Sequence, residues 1–112
     1  MYRNAFYGRK EIKELTVSSG ASNIGARAFK NCTRLEKVII EDGVATIADN
    51  VFENDNSLLY IKIGSGINSI GYYAFYNNHN LKRVDYNGTR AQWNNIKTKP
   101  YNTCLFNATI NY

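Results

Sequence analysis

The segment Ile70-Gly71-Tyr72-Tyr73-Ala74-Phe75-Tyr76-Asn77 has counterparts elsewhere in the chain. Its Ala74-Phe75 pair returns as Val51-Phe52, Ala28-Phe29 and Ala5-Phe6, at intervals of 23, 23 and 23 residues. A fixed period of this kind is the mark of stacked repeats. Outward from the pair, the same register holds at the other apolar positions. Ile12, Leu35, Leu58 and Leu81 form one column, Leu15, Val38, Ile61 and Val84 a second, and Val17, Ile40, Ile63 and Tyr86 a third. Met1, Ile24, Ile47, Ile70 and Trp93 form a fourth, and Ala21, Val44 and Ile67 a fifth. Gly20, Gly43 and Gly66 precede the fifth column, at a point where a positive φ is cheap for glycine. Gly8, Asn31, Asn54 and Asn77 mark another turn, because Asn tolerates left-handed backbone and bonds nearby backbone groups.

Within one repeat, Leu35, Val38 and Ile40 end in alternation, with Lys37, Ile39 and Glu41 on the opposite side, which predicts a short strand. Val44 to Ile47 reads as a second short extended piece. The Ala-Phe segment is too short for a standard helix and suits one turn of 3₁₀ or α structure. A single repeat cannot bury its own apolar side. Stacked coils can, with strands pairing in parallel about 4.8 Å apart. At about 1.5–3 kcal/mol per fully buried side chain, the inward columns make a usable core once about three coils stack.

These residues carry a family resemblance. The run from Ile70 to Asn77, continued by Leu81 to Tyr86, resembles the 23-residue repeat of the BspA-like leucine-rich repeat proteins. Tyr86-Asn87-Gly88-Thr89-Arg90-Ala91-Gln92-Trp93, then Ile96 and Ala108-Thr109-Ile110-Asn111-Tyr112, is similar to the capping segment common at the C-terminal end of that family's repeats. The resemblance implies a repeat solenoid: a right-handed leucine-rich-repeat coil with a short parallel β-sheet on one face and irregular or 3₁₀ turns on the other. It divides the chain into residues 1–93, four to five stacked repeats, and residues 94–112, a cap with a terminal strand. At the cap Trp93 replaces the column isoleucine and Asn94 the small residue seen as Gly25, Ala48 and Gly71. A bulky Trp closes the stack, and the alternation Ala108, Ile110, Tyr112 is placed to cover the last open edge.

At the other end, Met1 falls in mid-repeat with no polar cap before it, as solenoids usually require. The expectation is either an origin within a longer repeat protein or an open first coil, with Phe6, Ile12, Leu15 and Val17, covered by a partner or a second copy as a homodimer.

Composition narrows the function classes. The chain has 112 residues, 44% hydrophobic, with one proline and no apolar run long enough for a membrane helix, and its first residues lack the succession of a signal peptide. Net charge is +5 and sits in the second half: residues 1–56 hold eight basic and eight acidic side chains, residues 57–112 six basic and only Asp85. Ten of the fifteen aromatic residues lie in that half as well, which raises an anionic polymer, glycan or nucleic acid, as a partner. Against nucleic acid, Phe75, Tyr86 and Trp93 belong to core columns. Lys82, Arg83, Arg90, Lys97 and Lys99 are scattered over different repeat positions.

Catalytic and metal motifs find no spacing support. His79, the single histidine, sits in a turn column, and pairing it with Cys104 requires an accidental proximity; Cys32 and Cys104 both read as buried free thiols. Asp42, Asp49, Glu53 and Asp55 fall at different repeat positions and read as solvated surface, not a calcium site. Gly64-Ser65-Gly66 lacks the Lys-Ser/Thr of a phosphate loop. No enzyme, cofactor or metal is expected.

The outward strand face remains. One column reads Glu14, Lys37, Tyr60, Arg83 and the next Thr16, Ile39, Lys62, Asp85. Two readings stand side by side: cross-strand charge pairs, Glu14 with Lys37 and Lys62 with Asp85, and a partner-binding face with Ile39 and Tyr60 as anchors. The resemblance implies non-catalytic protein recognition, as the C-terminal repeat block of a bacterial surface or secreted adhesin-like protein meeting host or neighbouring-cell proteins, located outside the cell or on its surface. The alternatives are a stand-alone cytoplasmic binder or inhibitor of another protein and a basic-surface binder of anionic polymer.

Overall fold

Val38 and Ile40 are buried while Lys37 is exposed and Ile39 half-buried, the alternation expected of a strand covered on one side. In the computed structural model, which describes residues 1–112, this pattern recurs once per coil. The strands β1 (Glu14–Val17), β3 (Lys37–Ile40), β5 (Tyr60–Ile63), β7 (Arg83–Tyr86) and β9 (Thr109–Asn111) form a parallel five-stranded sheet in that order. Across the coils the pairing keeps the repeat register, Lys37 opposite Tyr60 and Tyr60 opposite Arg83. A second parallel sheet comes from the Val44 to Ile47 position and its equivalents: β2 (Asn23–Ile24), β4 (Thr46–Ile47), β6 (Ser69–Ile70) and β8 (Lys97–Thr98). The last coil carries two short helices, α1 (Arg90–Asn94) and α2 (Thr103–Asn107), and its β8 and β9 extend both sheets. No helix is long and apolar enough to cross a membrane.

The interior is filled by the sequence columns, which supply most of a cluster of 24 buried apolar residues. The phenylalanines of the Ala-Phe pairs stack in file. Ring centroids of Phe6 and Phe29, Phe29 and Phe52, and Phe52 and Phe75 are 5.2, 5.8 and 5.4 Å apart.

The Ala-Phe segment is a series of turns, not a helical turn. Ala28 N–H donates to the Gly25 carbonyl and Lys30 N–H to the Arg27 carbonyl, within the coil. The N–H groups of Arg27, Phe29 and Asn31 donate instead to Asp49, Val51 and Glu53 in the next coil. Every second donor therefore leaves the coil, and Arg27 and Asn31 take φ of 58° and 61°, which no right-handed helix contains. The whole turn column is left-handed, with Gly8, Asn31, Asn54 and Asn77 at φ of 71°, 61°, 64° and 61°.

The other glycine column works differently from the sequence expectation. Gly20, Gly43 and Gly66 have no positive φ. A Cβ on Gly43 would lie 2.5 Å from the Ser19 carbonyl oxygen, and one on Gly66 1.9 Å from that of Asp42. Glycine is required there because one coil's backbone presses on the next. Gly20, in the first coil, meets nothing within 4 Å.

Asp55 also departs from expectation. It is buried with Asn78 and Asn102, not solvated. Its Oδ1 accepts the Cys32 N–H at 2.8 Å, and burial pushes its carboxyl up to about 9.

Candidate binding face

Outward residues of β1, β3, β5 and β7 lie side by side because the strands pair in register. The structure brings Glu14, Lys37, Tyr60 and Arg83 into one file and Thr16, Ile39, Lys62 and Asp85 into the next. Tyr60 is the centre of the arrangement. Lys37 Nζ lies 5.9 Å from its ring centroid and the Arg83 guanidinium 5.4 Å, one cation from each neighbouring strand. Its hydroxyl donates to Asp85 Oδ2 at 2.9 Å.

Asp85 is in turn held by three groups. Arg83 meets it through two bonds, Nε to Oδ1 at 3.0 Å and a terminal guanidinium nitrogen to Oδ2 at 2.8 Å, and Asn111 Nδ2 donates to Oδ1 at 3.1 Å. These bonds, led by Arg83, hold its carboxyl below the usual range. Desolvation and then the Asp85 bond push the Tyr60 hydroxyl up. The expected cross-strand ion pairs are replaced. The carboxylate pairs with Arg83 two residues away on its own strand, whose planar fork matches it, and Lys37 sits over the Tyr60 ring. Ile39 is half-buried and borders two shallow recesses, one with Glu14, Thr16 and Lys37, the other with Lys62, Asp42 and Asn87.

At the first coil, Phe6, Ile12 and Leu15 are half-buried beside the unpaired edge of β1. Val17, expected with them, is 2% exposed because it points into the core inside the coil. Other aromatic residues of the second half lie either among the turns or in the core. Tyr73 stacks on Tyr101 at 4.4 Å and meets Tyr76 edge-on at 5.1 Å, while Lys99 Nζ lies 5.7 Å from the Tyr72 ring. Phe75, Tyr86 and Trp93 are buried in the core.

The acidic residues serve the backbone and neighbouring side chains separately. Asp42 Oδ1 accepts the Ser65 N–H and Asp49 Oδ1 the Tyr72 N–H, each at 2.9 Å, and Glu53 pairs with Lys30 at 3.5 Å. Both cysteines are free thiols, as expected, and one of them departs from the expected burial. Cys32 is buried, but Cys104 is half-buried, with Sγ 3.8 Å from His79 Nδ1. Spacing gave no signal of this contact, because α2 lies past the point where the 23-residue rhythm stops.

Comparison with known proteins bears on the whole chain. Among solved structures, the T. pallidum leucine-rich repeat protein TpLRR is 28% identical with a TM-score of 0.72, covering 76% of this chain and 40% of that one. A leucine-rich cell surface protein from Faecalibacterium prausnitzii A2-165 is 23% identical with a TM-score of 0.47, covering 77% of this chain and 35% of that one. The chain thus spans less than half the length of either. No curated protein sequence matches it. The family model for the BspA-type leucine-rich repeat region matches residues 1–111 in six copies. With that match and the coil geometry together, the chain belongs to the BspA-type leucine-rich repeat family.

Proposed function

We propose that this chain is a non-catalytic protein-recognition module whose partner docks on the outward face of the large sheet. Leucine-rich repeat families are generally binding modules, and the observation that carries the reading here is Tyr60. The ring is flanked by Lys37 and Arg83 and tied through its hydroxyl to Asp85. A half-buried aromatic already fixed in place loses little entropy on binding, and Tyr and Arg are the residues that most often carry interface energy. Glu14, Thr16, Ile39 and Lys62 complete the face, and Ile39 supplies its apolar contact between two recesses. Residues 1–93 serve as the stacked coils and residues 94–112 as their cap. The open edge of β1, with Phe6, Ile12 and Leu15, is a second place for protein contact, including a second copy of the chain.

The setting we favour is the repeat block of an adhesin-like surface or secreted protein, with a host or neighbouring-cell protein as partner. The test places a photo-crosslinking side chain at Ile39 and, as a control, at Lys30 among the turns, and exposes both proteins to intact host cells and to cytosolic extract. A crosslink from position 39 alone, formed on intact cells and competed by free wild type but not by a Tyr60→Ala protein, is the expected result. Equal crosslinking from both positions, or equal competition by both proteins, removes the strand face. A crosslink found only with cytosol removes the adhesin setting. Tight retention on heparin that falls steeply with salt would replace the protein partner by an anionic polymer.

A further inference from the structure

The turn side of the solenoid carries a file of hydrogen-bonded amides with a fixed direction. Asn77 Nδ2 donates to Asn54 Oδ1 at 2.8 Å, Asn54 Nδ2 to Asn31 Oδ1 at 2.9 Å, and Asn31 Nδ2 to the Tyr7 hydroxyl at 3.2 Å. Each donor points toward the preceding coil, so each carbonyl points toward the following one. Asn77 is the last of the file. Its Oδ1 meets His79 Nε2 at 3.2 Å instead of another amide.

That contact fixes the histidine tautomer. An amide carbonyl oxygen only accepts, so the shared proton is on Nε2, and in the neutral ring Nδ1 is left as the acceptor. Nδ1 is the nitrogen that faces Cys104 Sγ, at 3.8 Å. Thiol, imidazole and amide carbonyl therefore stand in the order Cys–His–Asn, the arrangement in which a base takes the proton of a sulfur nucleophile and a third group orients the base. The group is open to small reagents, because His79 is exposed and Cys104 only half-buried. Cys32 provides the contrast. It is fully buried, and burial pushes its thiol up to about 11.

We propose that Cys104 is a nucleophilic thiol that undergoes thiol–disulfide exchange with low-molecular-weight disulfides, with His79 as its base and Asn77 as the residue that positions His79. As Sγ attacks one sulfur of a disulfide RS–SR, its proton passes to Nδ1. The S–S bond breaks, the departing RS⁻ takes the proton back from the imidazolium as RSH, and Cys104 is left as the mixed disulfide. The Cys104 sulfur is oxidised and the departing sulfur reduced, so no further oxidant enters. Attack on sulfur forms no oxyanion, and the three residues supply everything the step requires. The result is a stoichiometric modification on the turn side of the fold, and it does not depend on the strand face proposed for partner binding.

The test follows release of pyridine-2-thione from 2,2′-dithiodipyridine by the full chain near neutral pH. Wild type should react rapidly at a single thiol, and Cys104→Ser should abolish that phase while Cys32 stays silent until the protein unfolds. His79→Gln should slow the phase by about tenfold, less than the usual loss of a positioned base, because a thiol already supplies a few per cent of thiolate near neutral pH. Asn77→Gly keeps the left-handed backbone but removes the carbonyl, and should slow the reaction too. Asn77→Asp restores an acceptor for the Nε2 proton and should recover the wild-type rate. Circular dichroism establishes that each variant is folded. A folded His79→Gln protein reacting within about twofold of wild type, or Cys32 reacting as fast as Cys104, overturns the proposal.

Discussion

The backbone N–H of Cys32 donates to Oδ1 of Asp55 across two adjacent coils, inside a part of the core where both residues are fully buried. The second oxygen, Oδ2, has no partner, nor does Oδ1 of Asn78 one repeat further on. Burial raises the Asp55 carboxyl from its ordinary 3.8 to about 9. The group is therefore held as the neutral acid in the native protein, a state that spares the core an unpaired charge.

The first prediction concerns pH. Well below 3.8 the carboxyl is protonated in the folded and the unfolded chain alike, and its titration adds no pH dependence to stability. As pH rises, the unfolded chain releases the proton while the folded one keeps it, so stability falls until the folded group ionises near 9. Asp55→Asn keeps the acceptor for Cys32 N–H and removes the titration, and Asn78 and Asn102 show that buried amides donating to nearby backbone carbonyls fit the following coils. The variant should gain about 1 kcal/mol or more at neutral pH, with a flatter profile in urea titrations from mildly acid to mildly alkaline buffer. Parallel profiles for the two proteins would remove Asp55 as the cause.

A second prediction separates two glycines that look alike in the sequence. Gly66→Ala puts a Cβ against the Asp42 carbonyl oxygen of the neighbouring coil and should cost about 1–3 kcal/mol, the usual range for overpacking. Gly20→Ala meets nothing and should stabilise by about 0.4–1 kcal/mol through the unfolded chain. Equal effects in urea unfolding would mean that backbone conformation, not the approach of the coils, sets the requirement.

That pair also shows what was legible in the sequence and what was not. The period, the inward columns and the strand register were readable, because stacked coils bury the same position again and again. The stacked solenoid followed from them, and the family from the resemblance of the runs Ile70 to Asn77 and Leu81 to Tyr86 to its repeat. A glycine column, however, reads the same whether it serves a positive φ or a close approach, and only the separation between coils decides. The Ala-Phe segment read as a helical turn because apolar spacing does not say where N–H groups point, and every second one points to the next coil. Asp55 reads as surface because its column, Arg9, Cys32, Asp55 and Asn78, is mixed in character and gives no burial signal. For the candidate face, the sequence placed all eight outward residues, but the choice of Arg83 over Lys62 as the partner of Asp85 depends on side-chain geometry. The contact of His79 with Cys104 lay beyond the regular period altogether.

The phenylalanine file leads to a third prediction. Phe52 is fully buried between Phe29 and Phe75, whereas Phe6 stands at the half-buried end. Phe52→Ala should cost about 3–5 kcal/mol. Phe6→Ala should cost markedly less, because fewer neighbours lose contact and water already reaches the site. Urea midpoints for the two variants decide it, and a loss at Phe6 as large as at Phe52 would mean that the first coil is as tightly packed as the middle of the stack.

The last prediction is local to the final coil. Thr89 caps α1: its Oγ1 accepts the Gln92 N–H at 3.1 Å, and Gln92 Oε1 accepts the Thr89 N–H at 2.8 Å. This reciprocal pair holds the first turn of a helix too short to persist alone. The helix presents Trp93, the single tryptophan, to the core, where it packs edge-on against Tyr86 at 5.2 Å. Thr89→Ala should cost about 1 kcal/mol. The more informative signal is where the loss appears. If α1 closes the stack as a separate small unit, Trp93 fluorescence in the variant should change at lower urea than the far-ultraviolet circular dichroism of the sheets. If the two transitions stay superimposed and shift together, the last coil unfolds with the rest, and the cap is an integral part of one cooperative solenoid.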